Sequence, residues 1–154
     1  MDVSLFQRDT GAAWIAPDPM YDHIEFNVKG RDGPFVDLLS FRYRELVRKR
    51  KEDGTLKPRQ GLGDLPMTEV HRVEHQLLLE KYVFGIRGLE IGGEKLTIDR
   101  LREMALTEEF RPLLDMALEA IAIASERRVA DKKAAEGNSV TSPAGILSGA
   151  ELAN

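Results

Sequence analysis

Alternation is clearest at His23–Lys29, where Ile24, Phe26 and Val28 interleave with Glu25, Asn27 and Lys29. A period of two puts one face of an extended segment on a core and the other in water, so this stretch is predicted as a half-buried strand. Upstream, Val3–Arg8 reads as a strand, Asp9-Thr10-Gly11 as a turn and Ala12–Ile15 as a strand pairing back. Pro17 and Pro19 then break the chain.

The period changes after Gly30–Gly33. Phe35, Leu38, Leu39 and Leu46 fall at i, i+3, i+4 and i+11, an apolar stripe that predicts a helix. Pro34 suits its first turn and Gly54 its end. Pro58, Gly61, Gly63 and Pro66 mark residues 55–66 as a loop. A second helix is predicted over Met67–Phe84, with Val70, Val73, Leu77 and Lys81 on one face. Leu89 and Ile91, then Gly92-Gly93, then Lys95-Leu96 predict a short hairpin, because paired glycines suit a tight turn. Thr97 is an N-cap residue with Asp99 in the following turn, starting a helix that carries Ile98, Leu101 and Met104. Thr107 is expected to cap again. The last and longest helix is predicted over Pro112–Ala135, lined by Leu113, Leu114, Ala117, Leu118, Ile121 and Ala124.

The predicted class is therefore α+β, mostly α: a small N-terminal antiparallel β-part followed by a bundle of three to four helices. The organisation expected is an arm or hairpin at 1–20, one α+β domain at 21–135, and a flexible tail at 136–154 rich in Gly, Ser, Thr and Pro.

Composition narrows the chemistry. A chain of 154 residues with 42% apolar residues can bury a core without staples. The absence of cysteine removes disulfides, thiolate metal sites and cysteine nucleophiles. The longest near-apolar run, Met116–Ala124, is interrupted by Glu119 and falls far short of the roughly 20 residues of a membrane span. No signal-like segment opens the sequence, so a cytoplasmic location and no membrane partner are expected. The net charge of −4 argues against general nucleic-acid binding.

Two constellations offer chemistry. His71-Arg72-Val73-Glu74-His75 matches H-x-x-E-H, in which two histidines on one helix face share a metal and a glutamate polarises its water. That reading, a small metal-dependent hydrolase using His71, Glu74 and His75, lacks a marked third ligand. A solvated helix face is preferred, and no enzyme activity, metal or cofactor is expected. The second constellation is the basic helix Arg42–Lys51, where six cations meet Glu45 and Glu52 for a local charge of +4 with Phe41 and Tyr43 interleaved. It supports an alternative reading as a nucleic-acid-binding or regulatory module. It equally suits a solvated helix end, or the docking of an acidic partner through residues such as Arg48 and Arg50. Met104, Phe110 and Met116 are adaptable side chains flanking the last helix and are candidates for a partner-binding surface, although core is their default role.

The order of elements carries a resemblance. The strand Ile24-Glu25-Phe26-Asn27-Val28-Lys29 is followed by two helices, then by Val83-Phe84-Gly85-Ile86-Arg87-Gly88-Leu89-Glu90-Ile91-Gly92-Gly93-Glu94-Lys95-Leu96-Thr97. Leu101-Arg102-Glu103-Met104 and Glu109-Phe110-Arg111-Pro112-Leu113-Leu114 follow, and Gly137-Asn138-Ser139 opens the tail. Over roughly residues 22–143 this resembles the tail assembly chaperones of long-tailed bacteriophages and prophages. The resemblance implies a non-catalytic protein of the host cytoplasm that keeps the long helical tape measure protein soluble and helps recruit tail tube subunits. It leaves self-association open, and it implies that a frameshifted longer form arises near the end of the short one, with Lys132-Lys133 as a candidate slippery position.

Overall fold

The computed structural model describes residues 11–140. Its class is α+β and mostly helical, as the periodicity predicts. Three strands form one antiparallel sheet in the order β1 (Ala13–Ile15), β2 (Glu25–Val28), β3 (Val83–Arg87). Phe26 and Val28 of the central strand are fully buried, while Glu25 and Asn27 face outward, so the alternation read at His23–Lys29 holds. Ala13–Ile15 pairs with β2, and the predicted strand Val3–Arg8 lies outside the described residues.

The helix α1 (Gly33–Glu52) ends where Gly54 adopts φ +83°, a left-handed turn that only glycine enters cheaply. Phe35 anchors its start edge-on to Tyr82 at 5.5 Å, whereas Leu38 is left 39% exposed. Its distal half packs Tyr43, Leu46 and Val47 over a second small core of Leu56, Leu65 and Val70. Residues 55–66 are thus tied down by two buried leucines and a 3-10 turn at Leu62–Asp64.

The second helix, α2 (Met67–Lys81), stops three residues before the predicted Phe84. Tyr82 closes it and the chain turns directly into β3, which sequence reasoning had merged with the helix. Leu77, Leu78 and Leu79 are all buried because the end of α2 is enclosed on several sides at once. Val70 and Leu77 are buried as expected, but Lys81 is exposed. Along β3 the register slips between Asn27 and Val28, leaving Phe84 as an extra residue. On the outer face Trp14 lies against Gly85, with the Arg87 guanidinium 4.1 Å from its ring centroid and Glu25 holding Arg87 at 3.0 Å.

The predicted hairpin is present as β4 (Glu90–Ile91) and β5 (Glu94–Lys95), turned by Gly92 and Gly93 at φ +64° and +82°. Thr97 caps α3 (Ile98–Met104) by accepting from the Arg100 N–H at 3.3 Å. Thr107 does not cap the next helix. Its hydroxyl donates to the Met104 carbonyl at 2.7 Å and so closes α3. The long helix α4 (Arg111–Val140) runs five residues past the expected boundary at Ala135. Extending an existing helix needs no new nucleus, so Gly137 and Asn138 cost too little to stop it. Residues 141–154 of the predicted tail lie outside the described residues.

One seam sets where α4 lies. The Gly30 backbone presses on α4 so closely that a Cβ there would sit 2.7 Å from the Ser125 Cα and N. The Ser125 Oγ accepts from the Arg31 N–H at 2.9 Å, and the Arg128 guanidinium donates to the Arg31 carbonyl at 3.0 Å. Beside it the Tyr82 hydroxyl donates to the Asp32 carboxylate, which also pairs with Lys29 at 3.3 Å. Burial alone would raise the Asp32 carboxyl, but the Tyr82 hydrogen bond and Lys29 outweigh it and hold it below the usual carboxylate range.

Candidate protein-binding groove

The H-x-x-E-H residues do not converge. His71 and His75 share one face of α2, with ring centroids 6.2 Å apart, and both line a cleft of about 590 Å³ with Arg72, Thr107, Glu108 and Arg111. Glu74 faces elsewhere, its carboxylate taken by the Arg31 guanidinium at 3.2 Å. Helical spacing leaves residue 74 close to residues 71 and 75 on α2, so it is the pair with Arg31 that turns the Glu74 carboxylate away from the histidines. Among the described residues no group of three His, Asp or Glu side chains is placed to hold a metal ion.

His75 is half-buried in that cleft. Burial first, and then the Arg111 charge, push its imidazole below the ordinary histidine pKa. A base whose folded pKa is depressed contributes stability that is complete above its unfolded pKa of about 6.5 and is lost as pH falls below it. Asp32, Glu45 and Asp53 are also lowered, but from ordinary carboxylate values near 4, so their contributions fade only near pH 4 and below. Between pH 7.5 and 5.5 the wild-type melting temperature is therefore expected to fall further than that of His75→Gln. Equal slopes in the two proteins would remove His75 as the cause.

The basic helix is largely self-neutralised. Arg48 bonds Glu45 and Glu52, both at 2.7 Å, and Arg50 bonds Glu69 and Asp53. Arg42 reaches across to Glu80 on α2. The hydrogen bonds to Glu45 and Glu52 raise the Arg48 pKa further above its already high value, so its charge is engaged within its own helix. Arg44, Lys49 and Lys51 carry no ion pair among the described residues. Arg48 and Arg50 are thus committed to internal pairs and do not line the groove described next.

That groove is where two of the remaining candidates meet. Phe110 and Met116 line a hollow of about 380 Å³ at the start of α4, together with Tyr21, Leu89, Ile91 and Pro112. Its walls are almost wholly apolar and it is open to solvent. Three segments far apart in sequence build it: the 3-10 turn at Pro19–Tyr21, the β4–β5 hairpin and the first turns of α4. The turn is fixed by Asp18, whose carboxylate accepts from the Met20 N–H at 2.9 Å, and it leaves Met20 85% and Tyr21 50% exposed, with Tyr21 lining the groove. Met104 does not line the groove and packs against the main core. Sequence reasoning missed Tyr21, Leu89 and Ile91; their only signal was apolar character in turn-rich segments.

Among the described residues no helix is long and apolar enough to cross a membrane. No protein-family model, curated protein or solved structure matches the chain.

Proposed function

We propose that this chain is a phage tail assembly chaperone that holds the tape measure protein and helps bring tail tube subunits to it. The observation that supports this reading is the open apolar groove at Phe110 and Met116. A long amphipathic helix exposes an apolar stripe that aggregates unless covered. A hollow lined by aromatic, aliphatic and thioether side chains accepts such a stripe through anchors at helical spacing. Tyr21, half exposed in its lining, adds an aromatic face to the contact. This reading asks no bond making of the site.

Co-expression tests the proposal. The wild-type chain is expected to raise the soluble fraction of a tape measure protein several-fold, and Phe110→Glu with Met116→Glu to abolish most of that gain. Both side chains are partly exposed, so the double variant is expected to keep its fold by circular dichroism. Undiminished rescue by a folded double variant would reject the groove as the holding site.

A further inference from the structure

The groove is one part of a longer surface. A second hollow of about 230 Å³, lined by Pro17, Pro19, Asp18, Asp115 and Glu119, shares Met116 with it. Every charged side chain lining the two hollows is a carboxylate: Glu109 in the first, and Asp18, Asp115 and Glu119 in the second. Asp115 is balanced by Arg111 at 3.2 Å. Asp18 is spent in part on the Met20 N–H. Glu109 and Glu119 have no cation within ion-pair distance among the described residues. Glu109 lies in the turn before α4 and lines the first hollow, and Glu119 lies on α4 and lines the second, so the two flank the shared Met116.

We infer that this surface selects a cationic amphipathic helix of a partner protein: apolar side chains enter the groove at Phe110 and Met116, and lysines or arginines flanking them meet Glu109 and Glu119. The inference rests on the holding role proposed above and adds the charge of what is held. The basic run on α1 had pointed to an acidic partner. With Arg42, Arg48 and Arg50 already paired, the uncompensated charge beside the apolar surface is negative, so complementarity calls for a basic ligand. A helix with acidic flanks would place like charges against Glu109 and Glu119 and be rejected.

Two synthetic helical peptides sharing one leucine seam, with lysine flanks in one and glutamate flanks in the other, provide the test. Binding to the full chain is read by fluorescence anisotropy at 50 mM and 300 mM sodium chloride. The lysine peptide is expected to bind at least about tenfold more tightly at low salt, with the preference shrinking at high salt as exposed pairs are screened. Glu109→Lys with Glu119→Lys is expected to invert the preference. Equal affinities for the two peptides would overturn the charge selection and leave the holding role standing. Failure of both peptides to bind, with tape measure rescue unaffected by Phe110→Glu, would overturn both. The alternative outcome is self-association, seen by sedimentation, through the exposed Phe41 and unpaired Arg44 and Lys51 of α1, abolished by Phe41→Ser and by Glu109→Lys. That result would put a second copy on the surface and overturn the partner assignment.

Discussion

Gly88→Ala is expected to destabilise the protein by about 3 kcal/mol or more, combining backbone strain with overpacking. Gly88 has φ +86°, a conformation that L residues rarely adopt. A Cβ there would also fall 1.7 Å from the His23 carbonyl oxygen and 2.7 Å from its carbon. Both neighbours are backbone, so no rotamer change relieves the collision. The strand end at Arg87 and the segment before Ile24 would have to part, which reaches the fully buried Phe26 through the Phe26↔Ile86 pair. For a domain of this size such a loss lowers the melting temperature by roughly 10 °C. Gly92→Asn is the control: Gly92 also has positive φ, but nothing lies within 4 Å of its Cβ position, and asparagine tolerates that conformation. Thermal and urea unfolding of both variants check the difference. A Gly88→Ala protein melting within 2 °C of wild type would refute the close approach.

The same close approach explains what the sequence could and could not reveal. β2 was legible because one face of it is buried and one is wet, which writes a period of two into Ile24–Lys29. β3 was not, because it follows α2 after a single residue and carries a bulge at Phe84, so its apolar residues show no clean alternation. The end of α2 was equally opaque, since burial of three consecutive leucines erases a helical period. Gly92-Gly93 and Thr97 were readable because turn geometry and capping are local requirements. Gly30, Gly85 and Gly88 were not, because what demands each is a neighbour distant in sequence.

The candidate site follows the same division. Phe110 and Met116 could be singled out as large adaptable side chains at the head of a helix, but the groove exists only when Tyr21, Leu89 and Ile91 are brought beside them. Charge misled for a physical reason. A dense basic run draws notice in a sequence, yet helical spacing lets Arg48 pair with Glu45 and Glu52 on its own helix. The carboxylates at Asp18, Glu109 and Glu119 are inconspicuous along the chain, and their grouping is a product of the fold.

Gly30→Ala is expected to cost about 2–3 kcal/mol through overpacking of the seam that seats α4. Its φ is ordinary, so strain is not the cause. The added methyl would meet the Ser125 Cα and N at 2.7 Å and the Ala124 carbonyl carbon at 2.9 Å, all atoms of a rigid helix. Relief requires α4 to back away from the β2–α1 connection. That movement would stretch the Arg31 N–H to Ser125 Oγ bond at 2.9 Å and the Arg128 to Arg31 carbonyl bond at 3.0 Å. Ser125→Ala removes the first of these bonds together with the one the Ser125 hydroxyl donates to the Ile121 carbonyl at 2.8 Å, and is expected to cost about 1–2 kcal/mol, the net worth of one to two hydrogen bonds. Because both substitutions act on one contact, the double variant should lose less than the sum of the two. Hydrogen exchange places the effect: α4 amides near Ser125 should lose protection before those near Leu114, which packs in the main core away from the seam. Strict additivity, or uniform loss of protection along α4, would show that Gly30 acts on the whole fold and not on this seam.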